Sequence, residues 1–225
     1  MQYEIVGGNF PAVICYLQAG ESMKNESGAM LWMDPCMEMS TAGGGVGKVF
    51  GRMFTGEKLF LNQYTAKADG KIAFGTCVPG QILPVVIEPG KELIVQKNGF
   101  LACEPGVELS THINEKIGKG VFGGEGFIMQ KLSGRGMAFI ECDGGFVEYT
   151  LAPGQTLLVD TGHVLAFDKS VQFEIQRIKG AKNMVLGGEG LFNTKVTGPG
   201  KVWLQTMPIT GLAAAIQPFI VTNNS

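Results

Sequence analysis

Apolar and polar residues alternate in short runs along most of the chain. Val171, Phe173 and Ile175 are interleaved with Gln172, Glu174 and Gln176, and Val147, Tyr149 and Leu151 with Glu148 and Thr150. Successive side chains of an extended strand point to opposite faces, so each run reads as a half-buried strand. Between the runs stand Asp69-Gly70, Pro89-Gly90, Asn98-Gly99, Pro105-Gly106, Pro153-Gly154 and Thr161-Gly162. Such pairs suit tight turns, because glycine reaches positive φ and proline fixes φ near its turn value. With 34 glycines spread among such runs and no long helical period, the predicted fold class is all-β. Only the tail departs from this pattern: Thr210 is placed to cap a short helix over 211–217 that Pro218 ends, although two turns need packing to persist.

The same landmarks come three times. Gly56-Glu57-Lys58-Leu59-Phe60 returns as Gly124-Glu125-Gly126-Phe127-Ile128 and as Gly188-Glu189-Gly190-Leu191-Phe192. Leu17-Gln18-Ala19-Gly20 returns as Ile87-Glu88-Pro89-Gly90 and Leu151-Ala152-Pro153-Gly154, and Lys71-Ile72-Ala73-Phe74 as Met137-Ala138-Phe139-Ile140 and Lys201-Val202-Trp203-Leu204. Met37-Glu38-Met39-Ser40 lies over Val107-Glu108-Leu109-Ser110 and Val171-Gln172-Phe173-Glu174. Landmarks in one order with one spacing divide the chain into units of about Pro11 to Thr76, Leu83 to Gly145 and Phe146 to Pro208, with a tail over 209–225. Each unit is too small to bury a good core alone, so three copies of one module are expected to stack and cover one another.

Composition narrows the function classes. The chain has 225 residues, enough to bury roughly 70 to 75% of its unfolded surface without staples. Cys15, Cys36, Cys77, Cys103 and Cys142 are odd in number and lie among apolar neighbours, which suits reduced buried thiols in a cytosolic protein. Neither a secretory signal nor a transmembrane helix is expected: the N-terminus lacks a basic region before an apolar run, and the apolar stretch over 212–221 is broken by Gln217 and Pro218. Eighteen basic residues face twenty acidic ones, for a net charge of −2, so no basic face invites a nucleic-acid backbone.

Few residues offer chemistry. Gly43-Gly44-Gly45-Val46-Gly47-Lys48-Val49 resembles a phosphate loop, but Ala42 replaces its first glycine and Val49 the hydroxyl that would hold magnesium. Gly118-Lys119-Gly120-Val121-Phe122-Gly123 fits a dinucleotide pattern but lacks the following helix that such a site needs. His163 aligns with Phe100 and Ala29, His112 stands alone, and no metal-ligand spacing occurs. Neither a catalytic centre, a cofactor nor a metal is therefore expected. Glu57, Glu125 and Glu189 read as the acidic residue kept in all three units; they form either a ring of carboxylates around a cation or ligand, or turn residues accepting backbone N–H bonds. Trp32 and Trp203 do not align and read as core or interface residues. Before its Gly-Glu landmark, unit one spends the 14 residues 42–55, where the other units spend 12. Phe50 and Phe54 in that stretch, with Lys48 and Arg52 nearby, make it either a docking loop for a partner or an anionic membrane surface, or a cover for the next core.

Glu26-Ser27-Gly28-Ala29-Met30, the run from Gly43 through Arg52 to Asn62, Gly124-Glu125-Gly126-Phe127, and Leu151 through Asp160-Thr161-Gly162-His163 together resemble the altered-inheritance-of-mitochondria protein 24 family. The likeness covers nearly the whole chain. It implies a double-stranded β-helix module like that of the trp RNA-binding attenuation protein, three per chain, with three chains in a nine-module ring and no enzyme activity. The mitochondrial members' association with inner-membrane organisation does not carry over to a chain without a presequence or a membrane span. The reading is a cytosolic, non-enzymatic homotrimer serving as a scaffold for a protein partner. Its alternative is a ring that binds RNA or a small ligand between modules, an analogy of fold that does not by itself give function.

Overall fold

The computed structural model describes residues 1–26, 28–42, 61–76, 78–115, 127–177 and 192–220. Among them the chain is mostly β, in several antiparallel sheets with one short α-helix. After β1 (Gln2–Val6) come β2 (Ala12–Leu17), β3 (Ser22–Glu26), β4 (Met30–Met33), β5 (Met37–Ala42), β6 (Leu61–Ala66) and β7 (Gly70–Gly75). A second set of six holds β8 (Gly80–Ile87), β9 (Leu93–Gln96), β10 (Phe100–Cys103), β11 (Val107–Glu115), β12 (Phe127–Gly134) and β13 (Gly136–Asp143). The third holds β14 (Phe146–Leu151), β15 (Thr156–Asp160), β16 (Val164–Asp168), β17 (Gln172–Arg177), β18 (Phe192–Thr197) and β19 (Gly200–Gln205).

One pairing scheme runs through all three sets. The sixth strand lies between the first and the third, as β7 between β2 and β4, β13 between β8 and β10, and β19 between β14 and β16. The fifth lies between the second and the fourth, as β6 between β3 and β5, β12 between β9 and β11, and β18 between β15 and β17. Consecutive sets are then sewn together by a single rule. The second strand of one set pairs with the third strand of the next, β3 with β10 and β9 with β16. The two six-stranded sheets, β5-β6-β3-β10-β13-β8 and β11-β12-β9-β16-β19-β14, are therefore each half one set and half its neighbour. The end sheets, β1-β2-β7-β4 and β15-β18-β17, are the halves left over.

Local chemistry accounts for the strands and their turns. In β17 the predicted alternation holds: Val171 is buried, Phe173 and Ile175 half-buried, and Gln172, Glu174 and Gln176 exposed. In β14 only Leu151 is fully buried, because this edge strand has β19 alone beside it and leaves Val147 and Tyr149 in solvent. The turn from first to second strand is closed by Gly20, Gly90 and Gly154, at φ of 90°, 83° and 77°, values that L side chains avoid. The tail forms α1 (Ile209–Ile216), whose N-cap position is Pro208, not Thr210, and offers no capping side chain of its own; its first N–H, on Ile209, bonds Asp143 Oδ2 at 2.8 Å. Thr210 is thus an interior helix residue. None of the helix is buried, and no helix among the described residues is long and apolar enough to cross a membrane.

Three apolar clusters follow the three sets, and each draws on a neighbouring set, the third taking Ile94, Phe127 and Met129 from the second. The first joins Val13, Met23, Tyr64, Ile72 and Phe74 of the first set to Leu101, Ala102 and Phe139 of the second. The second joins Ile87, Leu93, Val95 and Phe100 to Leu165, Ala166 and Trp203 of the third. Fully burying side chains of this size stabilises by roughly 1.5 to 3 kcal/mol each, so each set depends on its neighbour.

Candidate functional site

The residues singled out as ligand candidates, Glu57, Glu125 and Glu189, and the docking candidates Phe50 and Phe54, lie outside the described residues. They belong to the stretches that connect fourth to fifth strand in each set. The strand ends bracketing those stretches are paired, Ala42 with Leu61, Glu115 with Phe127 and Arg177 with Phe192.

Another acidic residue recurs in all three sets, and the sequence reading overlooked it. Asp34, Glu104 and Asp168 follow the third strand at the same spacing of 70 and 64 residues as the glycines of the first turn. Each accepts the backbone N–H near the start of the sixth strand: Asp34 Oδ2 from Lys71 at 3.0 Å, Glu104 Oε2 from Met137 at 2.7 Å and Asp168 Oδ2 from Lys201 at 2.8 Å. Asp34, Glu104 and Asp168 thus form a second repeated acidic position, each holding the start of a sixth strand. An open groove of 610 Å³ in the first set is lined by Met1, Tyr16, Glu21, Asp34, Asp69 and Lys71 among others. Its carboxylates are engaged locally, Glu21 Oε2 by Gln18 N and Asp69 Oδ1 by Ala19 N. Among the described residues no group of three or more His, Cys, Asp or Glu is placed to hold a metal ion.

Three of the thiols are kept protonated by burial. Burial pushes Cys15 and Cys103 up to about 12 and Cys142 up to about 11, so their reactive thiolate forms are scarce at neutral pH. Cys36 is half-buried, all four are unpaired, and Cys77 lies outside the described residues. Of the histidines, His112 is exposed on β11, and His163 is held by its Nδ1 at 2.7 Å from the carbonyl oxygen of Gln205. Because Val164 pairs with Leu204 as Phe100 pairs with Ile140, His163 corresponds to Gly99, one position before Phe100.

The polar groups that matter to the architecture sit where one set meets the next. Between the second and third sets, Gln205 Nε2 donates to Gln96 Oε1 at 3.1 Å and to the Gly162 carbonyl at 2.9 Å, while its Oε1 accepts from Asp143 N at 3.1 Å. Between the first and second sets the corresponding residues are Glu26 and Glu141. Burial, with the Asp143 and Glu26 carboxylates nearby, pushes Glu141 up to about 8, and burial raises Asp143 as well.

The third strand shows the contrast between joints and ends most clearly. In each set a bulge interrupts its pairing with the sixth strand, and the residue at the bulge is a leucine: Leu31, Leu101 and Leu165. Leu101 and Leu165 are 1% and 0% exposed, sunk in the core of the preceding set. Leu31, on a strand with no preceding set, is 47% exposed, and its neighbours Trp32 and Met33 stand in solvent beside it. At the opposite end β15 is equally uncovered: Leu158 is 63% exposed where Ile94, its counterpart, is 0%. Trp203 is buried as expected, whereas Trp32 belongs to this open edge.

Residues 3–207 match the family model described as mitochondrial biogenesis AIM24. A curated relative, an uncharacterised protein of Streptococcus pyogenes serotype M6, is 29% identical over 96% of this chain and 89% of its own length. A crystal structure of a second Streptococcus pyogenes protein superposes with a TM-score of 0.81 at 24% identity, covering 97% of this chain and 99% of the other, a likeness of fold.

Proposed function

The chain belongs to the mitochondrial biogenesis AIM24 family, and on that premise we propose that it is a non-enzymatic cytoplasmic scaffold built of three tandem double-stranded β-helix modules of the trp RNA-binding attenuation protein type. Three copies close into a ring of nine modules, which presents its outer surface to a protein partner. The observation that carries this reading is the fate of the third strand: its leucine is buried twice inside the chain and exposed once, at the end where a neighbouring copy would stand. Open apolar edge strands invite further pairing, and a head-to-tail contact that closes removes both edges at once. Light scattering on the full chain at micromolar concentration should report three chains of 24.0 kDa, or 72.0 kDa. A discrete 24.0 kDa particle would overturn the reading.

A further inference from the structure

The first strands β2, β8 and β14 lie on the outer side of their sets, and their outer edges have three different fates. Since Gly70, Gly136 and Gly200 pair with Leu17, Ile87 and Leu151, the residues Val13, Leu83 and Val147 correspond, as do Cys15, Val85 and Tyr149, and Ile14, Pro84 and Glu148. In the first set β1 covers the edge, with Tyr3 opposite Cys15 and Ile5 opposite Val13, and Tyr3 meets Phe139 edge-on with ring centroids 5.1 Å apart. Val13 and Cys15 are 0% exposed beneath it. No described strand covers β8, and Leu83 and Val85 stay half-buried although a further set follows them. Nor does a described strand cover β14, where Val147 and Tyr149 are 43% and 45% exposed. We propose that β14 is a docking edge for an extended, basic segment of a protein partner, added antiparallel as β1 is added to β2. The inference rests on the scaffold reading for having a protein partner, and not on the ring.

Backbone direction decides which groups of β14 are on offer. Thr206 N donates to the Gly145 carbonyl at 2.9 Å, whereas Phe146 N turns the other way, to Gln81 Oε1 at 3.3 Å. Because that direction alternates along a strand, Val147, Tyr149 and Leu151 bond to β19, and the N–H and C=O of Glu148 and Thr150 point outward. Their counterparts Ile14 and Tyr16 are the residues that lie opposite Glu4 and Gln2 of β1. On β8 the place of Glu148 is taken by Pro84, which has no N–H to give, so that edge is closed to an added strand. β14 has no such guard. Charge then selects the occupant. A residue added opposite Glu148 meets a carboxylate that bonds Lys201 Nζ at 2.7 Å and Trp203 Nε1 at 2.8 Å and is still 40% exposed. A lysine or arginine fits there, between two apolar residues that face Val147 and Tyr149. A second copy fits badly. Its β1 would set Glu4 against Glu148 without the Tyr16 hydroxyl that donates to Glu4 in its own sheet, and two β14 strands paired Val147 to Tyr149 would oppose Glu148 to itself.

The probes are end-capped peptides of residues 1–8 added to the full chain, one with the native sequence and one carrying Glu4→Lys. The Glu4→Lys peptide should bind in the submillimolar range, about threefold or more tighter than the native one, and should slow hydrogen exchange at the Glu148 and Thr150 amides. Glu148→Pro, which copies the guard of β8, should abolish that binding. Glu148→Lys should reverse the preference between the two peptides, and it keeps the test decisive where the proline variant does not fold. Equal binding of both peptides, protection elsewhere than β14, or a preference that Glu148→Lys leaves unchanged would overturn the docking edge. An assembly of the unmodified chain that Glu148→Pro splits in half would give the edge to a second copy and overturn it too. The two readings fail separately: a trimer that binds neither peptide loses the docking edge, and a monomer that binds the Glu4→Lys peptide loses the ring.

Discussion

The joint between the first and second strand sets and the joint between the second and third share a backbone and differ in chemistry. Both pair a second strand with a third, and both bury a bulged leucine. Where the second joint places Gln96 against Gln205 at 3.1 Å, the first places Glu26 near Glu141, with Asp143 close by. An amide carries donor and acceptor and satisfies its partners at any pH. A buried carboxyl does so only while it holds its proton. One architecture therefore contains a joint centred on a buried amide pair and one centred on a buried carboxyl, and the difference lives in side chains, not in strand pairing.

The largest effect should come from importing the acid into the amide joint. Gln205→Glu sets a buried carboxylate against the Gly162 carbonyl and loses two donated bonds, at a cost of about 4 kcal/mol above neutral pH. Urea midpoints taken across pH would reveal it, and an unchanged midpoint would mean that this joint is wetter than its burial indicates. Next come the leucines. Leu101→Ala and Leu165→Ala should each cost about 3 kcal/mol; a difference above about 1 kcal/mol would show that the joints are not packed alike.

Glu141→Gln sharpens the comparison from the other side. With its folded pKa raised to about 8, Glu141 contributes stability that is complete below the ordinary carboxylate range and is lost as pH rises through about 8. The variant should be unchanged in acid, more stable than the parent once Glu141 would have ionised, and flatter in its pH profile between those limits. An unaltered profile would place the sensitivity elsewhere. The smallest effect belongs to the turns: Glu104→Gln keeps an acceptor for Met137 N and should change the unfolding free energy, read from thermal melts, by less than about 1 kcal/mol. The ion pairs Glu92 makes with Lys131 and Lys169 near the second joint have the opposite sign from Glu141, because they hold Glu92 below its usual range. Their contribution disappears as pH falls and is screened by salt.

Much of the fold was legible because β strands advertise themselves through alternation and turns through glycine, and the 64-residue spacing from Gly90 to Gly154 needs only counting. What escaped depended on partners distant in sequence. Val147 and Tyr149 alternate like core residues, yet they lie on an edge strand that only β19 covers. Leu31, Leu101 and Leu165 recur at the right spacing, but a bulge adds one residue and breaks the period-2 pattern that marks inward positions. Asp34, Glu104 and Asp168 were equally countable, and differing as Asp, Glu, Asp they did not read as one position. Trp32 could not be assigned to core or interface until its strand was seen to have a neighbour on one side only.

The sewing of each set to the next has a consequence for how the chain is made. The sheet begun by β3, β5 and β6 is completed by β8, β10 and β13, so it cannot be finished until residue 143 has been synthesised, and the next must wait for residue 205. At roughly 5 to 20 residues per second, each half-built sheet spends several seconds with an open edge outside the ribosome. Assembly from the N-terminus thus always runs one unit behind translation.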